Sequence, residues 1–159
     1  MTKEAFAERV VAMQDVLYRV SYSLLQNPHD QADAVQECIG RGLQRCGSLR
    51  EEKYLQTWLI RILINTCHDT LRRRKREGPA ETIEVIAPPQ SDRDVVEALA
   101  ALDPKVRLPL VLHYIEGYAT REVAEMLRVP EGTVKWRLSS GRKLLRELLE
   151  EGGLWHEGT

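Results

Sequence analysis

The sequence predicts an all-α protein of two small helical domains joined by a flexible linker, a three-helix bundle followed by a helix-turn-helix unit. Three observations carry this. Apolar residues recur at steps of three and four through most of the chain. That periodicity lapses between Glu77 and about Ser91, where Gly78-Pro79 and Pro88-Pro89 stand and no core-sized apolar set replaces it. Near the C-terminus two short helical patterns meet at Val129-Pro130, where the residue before proline is pushed out of helical geometry.

Taken in order, the first helix shows Phe6, Val10, Met13, Leu17, Val20 and Leu24 on one face, and Asn27-Pro28 ends it. Asp30 is expected to cap the second helix by accepting a backbone N–H. Val35, Ile39 and Leu43 supply that helix's inward stripe, and it stops near Gly47-Ser48. Gly40 and Gly42 inside it each cost up to about 1 kcal/mol relative to alanine, which a close helix crossing would explain. The third helix is expected from about Tyr54 to Arg76, with Leu55, Trp58, Leu59, Ile62 and Leu63 facing in.

Within the linker, Thr82 to Ile86 alternates like a strand but has no partner strand, so it is read as extended chain. The second unit opens with Val95, Val96, Leu99 and Leu102 packing inward. Asp103-Pro104 starts the next helix, with proline in its favoured first turn. Its inward set is Leu108, Leu110, Val111, Leu112 and Ile115; Pro109 predicts a kink and Gly117 an end. The final helix carries Val134, Leu138, Leu144, Leu145 and Leu148 to Gly152-Gly153, followed by a frayed tail. The expected boundaries are 1–76 and 92–152 for the two domains, 77–91 for the linker and 153–159 for the tail.

Composition excludes several classes of function. The chain has 159 residues and no apolar run near the roughly 20 needed to cross a bilayer. Its first residues are acidic where a secretory signal would be apolar, so a cytoplasmic protein without membrane insertion is expected. Three scattered cysteines, Cys38, Cys46 and Cys67, fit reduced packed thiols better than disulfides or a metal site. No Gly-rich phosphate loop, HExxH pair or nucleophile motif is found, so no catalytic residue, metal or cofactor is expected and the protein is not read as an enzyme. The net charge of −1 hides segregation: Arg72 to Arg76 is an unbroken cationic run, with Glu81, Glu84, Asp92 and Asp94 beyond it.

Gly117 to Leu138 is the most informative stretch. Val123, Ala124 and Leu127 share one face of a short helix, and small Ala124 admits a close neighbour. Val134 and Leu138 bury one side of the next helix, leaving Thr133, Lys135, Trp136, Ser139 and Ser140 on the open and flanking surface. Donors and cations on an outward helix suit the base edges and phosphates of a major groove.

Four blocks in order extend this to a family. They are Asn27 to Glu37 (NPHDQADAVQE); Tyr54 to Asn65 (YLQTWLIRILIN) running into His68 to Arg76 (HDTLRRRKR); Ala98 to Arg107 (ALAALDPKVR); and Glu122 to Leu127 (EVAEML) with Pro130 to Leu138 (PEGTVKWRL). Together they resemble an extracytoplasmic-function sigma factor of bacterial RNA polymerase, a group of the sigma-70 family. The resemblance implies a promoter-specificity subunit with a sigma-2-like and a sigma-4-like domain. Its partners would be core polymerase (the β′ clamp helices and the β flap), promoter DNA as duplex and as non-template single strand, and an anti-sigma factor.

Residue by residue, the resemblance assigns polymerase docking to Asp30, Asp33, Gln36 and Glu37; the last three share a helix face and offer acceptors to a basic partner. Minus-ten recognition and melting would fall to Lys53, Tyr54, Arg61, Asn65, Asp69, Arg72 and Arg73, with Ser48 to Lys53 as the loop for a flipped base. Trp58 fits a core position better than a stacking platform. Minus-thirty-five recognition would fall to Lys135, Trp136, Ser139, Ser140 and Arg142, with Arg121 and Arg137 near phosphates and Thr133 either capping or contacting backbone.

The chain departs from the family pattern at several places. Arg128 stands where glycine is usual, so a positive φ there would be strained. Ser139-Ser140-Gly141 replaces a His-Arg-Ala-like stretch, removing a cation and adding a flexible residue; Gln56 replaces a basic residue, and Ile39 and Leu43 replace aromatics. Two other readings stay open: a stand-alone helix-turn-helix regulator, and a sigma-like decoy that binds polymerase or an anti-sigma factor without initiating.

Overall fold

The computed structural model describes residues 1–77 and 90–151, which cover all seven α-helices named below. The chain divides into two compact units, the first built on the three N-terminal helices and the second, in the main, on the four that follow. The alternating stretch at Thr82 to Ile86, the core of the linker and the tail lie outside the described residues.

In the first unit, α1 (Lys3–Leu24) is capped by Thr2, whose hydroxyl accepts from the Ala5 N–H at 3.1 Å. Phe6, Val10, Met13, Leu17, Val20 and Leu24 are all buried, as the periodicity requires. The N-cap of α2 (Pro28–Arg45) is Asn27, which accepts from the N–H groups of His29 at 2.8 Å and Asp30 at 3.3 Å. Asp30 is therefore not the cap: proline takes the first helical position, which moves the cap one residue ahead of it. Two 3-10 turns, Cys46–Ser48 and Glu52–Tyr54, lead into α3 (Leu55–Glu77).

The buried stripe of α2 differs from the expected one. Ala34, Val35, Cys38 and Gly42 are buried, whereas Leu43 is 37% exposed. The stripe is turned toward the smaller side chains because the crossing is close: a Cβ on Gly42 would stand 2.7 Å from Phe6 Cζ and 2.8 Å from Leu59 Cδ1. A side chain the size of leucine has no room there. Gly40 faces open space. Trp58 is half-buried and meets Phe6 edge to face, with ring centroids 6.5 Å apart, which agrees with its core reading.

In the second unit, α4 (Gln90–Ala101) buries Ala98, and Leu102 follows it into the core, while Val95 is 41% exposed rather than inward. Arg107 closes the end of α4. Its guanidinium is mostly buried and donates to the carbonyls of Ala100 at 3.0 Å and Leu102 at 3.2 Å. Asp103 caps α5 (Pro104–Leu110) by accepting from Lys105 N–H at 2.9 Å. Pro109 has no N–H to donate, and the next turn, Val111–Ile115, widens to π geometry. That widening turns Tyr114 and Ile115 outward, at 50% and 54% exposed, so Ile115 is not the core residue expected. Gly117 then breaks the helix at φ +81°.

The last two helices are α6 (Thr120–Leu127) and α7 (Glu131–Glu151). Gly141 of α7 is buried, and a Cβ there would stand 2.7 Å from Val106 Cγ1 and 2.9 Å from Leu110 Cδ1. Expected to add flexibility, it instead lets α7 lie directly on α5.

Two outcomes test this packing. Gly42→Ala should lower stability by about 1–3 kcal/mol through overpacking, whereas Gly40→Ala should raise it by up to about 1 kcal/mol; urea unfolding midpoints compare them. Burial, the main cause in both, pushes the thiols of Cys38 and Cys67 up to about 12 from an ordinary value of 9.0. The unfolded chain ionises its thiols first, so this contribution is complete below pH 9.0 and is lost as pH rises toward 12. Native protein at mildly alkaline pH should resist iodoacetamide at these two positions, and the urea midpoint should fall in buffers above pH 9.0.

Candidate nucleic-acid interface

The residues assigned from sequence fall on three surfaces, and one of them leaves its set. Asp33, Gln36 and Glu37 are exposed on one face of α2, at i, i+3 and i+4. Asp30, only 7% exposed, points instead to the end of α3, where Arg74 donates Nε to Oδ2 at 2.8 Å and Nη2 to Oδ1 at 2.7 Å. A two-pronged bond of this kind fixes direction as well as distance. It also holds the Arg74 guanidinium above its ordinary value, through the hydrogen bond first and the carboxylate charge second. Asp30 thus ties α2 to α3 and is no part of the outward acceptor face.

The second surface surrounds α3. Lys53 and Tyr54 end the 3-10 turn before it; Tyr54 is 51% exposed, with Lys53 Nζ 5.1 Å from its ring centre and 3.3 Å from Glu51. An exposed ring with a cation at its side can stack a base and meet its phosphate. Asn65, Asp69, Arg72 and Arg73 are exposed, whereas Arg61 is half-buried with its Nε enclosed and without a hydrogen-bond partner among the described residues. The cationic run is shared out: Arg72 pairs with Asp69 and Arg74 with Asp30, while Arg73, Lys75 and Arg76 are exposed on the remaining faces. Arg41 of α2 was not singled out by the sequence patterns. It donates to Glu37 at 2.6 Å, to Thr66 Oγ1 at 3.1 Å and to Asp69 at 3.5 Å, joining the first surface to the second.

The third surface is the helix-turn-helix. Glu122 reaches back to accept the Ala119 N–H at 3.0 Å, closing half a capping box at the start of α6. At its end Val129 N–H bonds Ala124 O at 3.1 Å around Arg128 at φ 57°, a left-handed terminus usually made by glycine. The strained φ foreseen at Arg128 is therefore present. Pro130 precedes α7, so Thr133 is the helix's third residue, half-buried inside the first turn and not its cap. Thr120 Oγ1 donates to Glu131 at 2.8 Å and ties the two helix starts together.

With Val134 and Leu138 buried, α7 presents Lys135, Trp136, Ser139 and Arg142 outward; Ser140 and Arg137 are half-buried and Arg121 of α6 is exposed. Trp136, 69% exposed, is a large apolar ring held in water on the outer side of this helix. Lys135 Nζ lies 3.7 Å from Glu131. Arg142 bonds the hydroxyl of Tyr114 and lies 5.9 Å from that ring's centre. Tyr114, a residue the sequence patterns did not single out, thus orients a cation of α7, and it can do so because the π turn faces it outward. Among the described residues no helix is long and apolar enough to cross a membrane.

Comparison with known proteins agrees with this division. Residues 10–77 match the family model for Sigma-70 region 2, and residues 92–145 that for Sigma-70, region 4. The ECF RNA polymerase sigma factor SigW of Bacillus subtilis is 30% identical, over 94% of this chain and 91% of its own. The ECF RNA polymerase sigma factor SigM of Mycobacterium tuberculosis is 32% identical, over 84% of this chain and 71% of its own. Among solved structures, the sigma factor RpoE bound to the anti-sigma factor NepR from Bartonella quintana aligns at TM-score 0.83 and 24% identity, covering 92% of this chain and 98% of that one. CnrH in complex with the cytosolic domain of CnrY aligns at TM-score 0.73 and 24% identity, covering 94% and 90%.

The Tyr114 contact makes a checkable claim. Tyr114→Phe keeps the ring and removes the hydroxyl, and should weaken duplex DNA binding by about threefold with no change in the thermal midpoint. Fluorescence anisotropy and a melting curve on the same preparation measure both.

Proposed function

The chain belongs to the extracytoplasmic-function sigma factors of the sigma-70 family, and we propose that its two units divide promoter recognition between the residues described above. It binds core RNA polymerase and directs promoter-specific initiation of transcription. The observation that carries the division of labour is the pairing, in one chain, of an outward acceptor face on α2 with a cation- and ring-bearing α3, followed by a helix whose outer side holds Lys135, Trp136 and Arg142.

In this reading the domains are 1–76 and 92–152, with 77–91 between them and 153–159 as a tail. Asp33, Gln36 and Glu37 meet basic side chains of the β′ clamp helices, as outward polar groups at an interface rim do. Tyr54 and Lys53 receive an unstacked base and its phosphate at the minus-ten element, and Asn65, Arg72 and Arg73 follow the non-template strand. Arg61 supports that face from a half-buried position. The second unit meets the polymerase β flap and reads the minus-thirty-five element as duplex, with Arg121 and Arg137 set toward phosphates and Thr133, Ser139 and Ser140 toward the groove.

Tethering two weakly binding units raises their joint affinity, so neither needs to hold a promoter alone. The protein has no reaction of its own to perform, because the polymerase makes the phosphodiester bonds. Its place of work is the cytoplasm, where polymerase and promoter are. The sigma factor RpoE, of like fold and bound to the anti-sigma factor NepR, supports a partner of that kind for this chain also.

Run-off transcription with purified chain, bacterial core polymerase and a genomic fragment library tests the reading. Discrete transcripts are expected. Asp33→Ala should weaken them through core affinity by up to about fivefold, restored at higher protein concentration. Arg73→Ala should leave core binding intact and lower the salt dependence of promoter binding by about one phosphate contact. Core binding without transcripts would identify a decoy, and duplex binding without core binding a stand-alone regulator.

A further inference from the structure

The core side of α7 is set by Val134, Leu138 and Gly141, which are all buried. At about 100° per residue, the line opposite them runs through Gly132, Trp136 and Ser139 and meets a charge only a turn later, at Lys143. The nearer cations stand to one side. Lys135 lies 3.7 Å from Glu131, which Thr120 also bonds, and Arg142 is engaged with Tyr114. Cations on the flank of a reading helix suit the phosphates along the groove wall. The side chain that advances furthest in the first turns of α7 is therefore an uncharged ring.

Trp136 is 69% exposed, more than any other large apolar side chain among the described residues. The positions three and four away from it are Gly132, Thr133, Ser139 and Ser140, all small. A Cβ on Gly132 would meet nothing within 4 Å, so packing does not call for glycine there. The result is one large planar knob rising from a low surface, free to meet a base edge over its whole face.

We propose that Trp136 is a specificity-determining residue that reads the C5-methyl group of a thymine in the minus-thirty-five duplex. An indole offers one N–H donor, no acceptor and a broad apolar face. In the major groove guanine presents two acceptors, adenine an acceptor and a donor, and cytosine a donor. A ring laid over these edges removes water from polar groups that it cannot match. Thymine alone adds an apolar group, its methyl, beside the O4 acceptor. The ring covers that methyl without displacing a neighbour on α7, because its neighbours are small. The inference rests on the assignment of α7 to the minus-thirty-five element and deepens it by naming the base edge that is read.

Deoxyuridine tests this directly, since it keeps the pairing and the O4 acceptor of thymidine and lacks only the methyl. Promoter fragments recovered by run-off transcription are remade as synthetic duplexes. Each thymine of the upstream element, on either strand, is replaced singly by deoxyuridine, and the minus-ten element is left intact. Affinity is measured for holoenzyme assembled from bacterial core polymerase with the wild-type chain or with Trp136→Ala. One replacement is expected to weaken wild-type binding by about three- to fivefold, the effect of one methyl group removed from water. Trp136→Ala should bind the unmodified duplex more weakly by at least that factor and be indifferent to the same replacement. Its thermal midpoint should equal that of the wild type, because the ring is exposed.

Three results would overturn the proposal: no replacement that matters to the wild type, a loss on replacement that persists in Trp136→Ala, or a recovered upstream element without thymine. Each of these, obtained on fragments that yield transcripts, leaves the sigma-factor reading standing and removes the thymine contact alone. Absence of transcripts from every fragment removes the promoter-recognition reading, and the thymine contact with it.

Discussion

The antiparallel crossing of α2 over α3 is the constraint on which the first unit depends. It is pinned at both ends by unlike means. At one end Gly42 lets α2 settle against Phe6 and Leu59, at distances that leave no room for a Cβ. At the other, the Asp30 carboxylate is nearly buried under a two-pronged bond from Arg74. Removing Arg74 would strand the nearly buried Asp30 carboxylate, which costs more than the intact pair contributes. A helix held so at both ends cannot roll, so the acceptor face of α2 and the cationic face of α3 keep a fixed angle. Specificity of direction, more than net stability, is what a bond of this type supplies.

The second unit solves the same problem differently. Gly141 sets α7 directly on α5, against Val106 and Leu110, and Arg107 absorbs the free carbonyls at the end of α4. Pro109 might have broken the helix that α7 leans on. The helix instead widens for one turn, and this places Tyr114 under Arg142. A local defect in hydrogen bonding is thus converted into support for a side chain of α7. The left-handed Arg128 has no such return visible at its own position; its φ of 57° is a cost of ending α6 without glycine.

Much of this was legible in the sequence, and the exceptions have physical causes. The buried face of α1 followed from spacing alone, because its apolar residues are large and regularly placed. The face of α2 did not: reading Val35, Ile39 and Leu43 as the stripe assumed that larger residues point inward. A close crossing selects small ones, and Cys38 with Gly42 won. Ile115 failed for a related reason, since the π turn shifts every later residue round the helix axis and no sequence pattern announces that shift. Asp30 was misread as a cap because local hydrogen bonding is visible in sequence, whereas its partner lies 44 residues away. Arg41 had one visible signal, its i, i+4 spacing from Glu37, but its bonds to Thr66 and Asp69 exist only once α3 is packed.

The same distinction bears on charge. A net charge of −1 says little about a chain meant to meet both a polymerase and DNA, because its carboxylates are spent on two different tasks. Asp33 stays outward, while Asp30 and Asp69 are turned onto the arginines of α3. Carboxylates placed beside Arg72 and Arg74 lower the field of the run in the free protein, leaving Arg73, Lys75 and Arg76 as its open cations. Attraction to arbitrary DNA is thereby reduced, since nonspecific binding grows with each phosphate neutralised. A protein that must find polymerase before it finds a promoter gains from that restraint. The cationic run is best understood as a graded surface, part structural and part available, graded by Asp30 from α2 and by Asp69 from α3 itself.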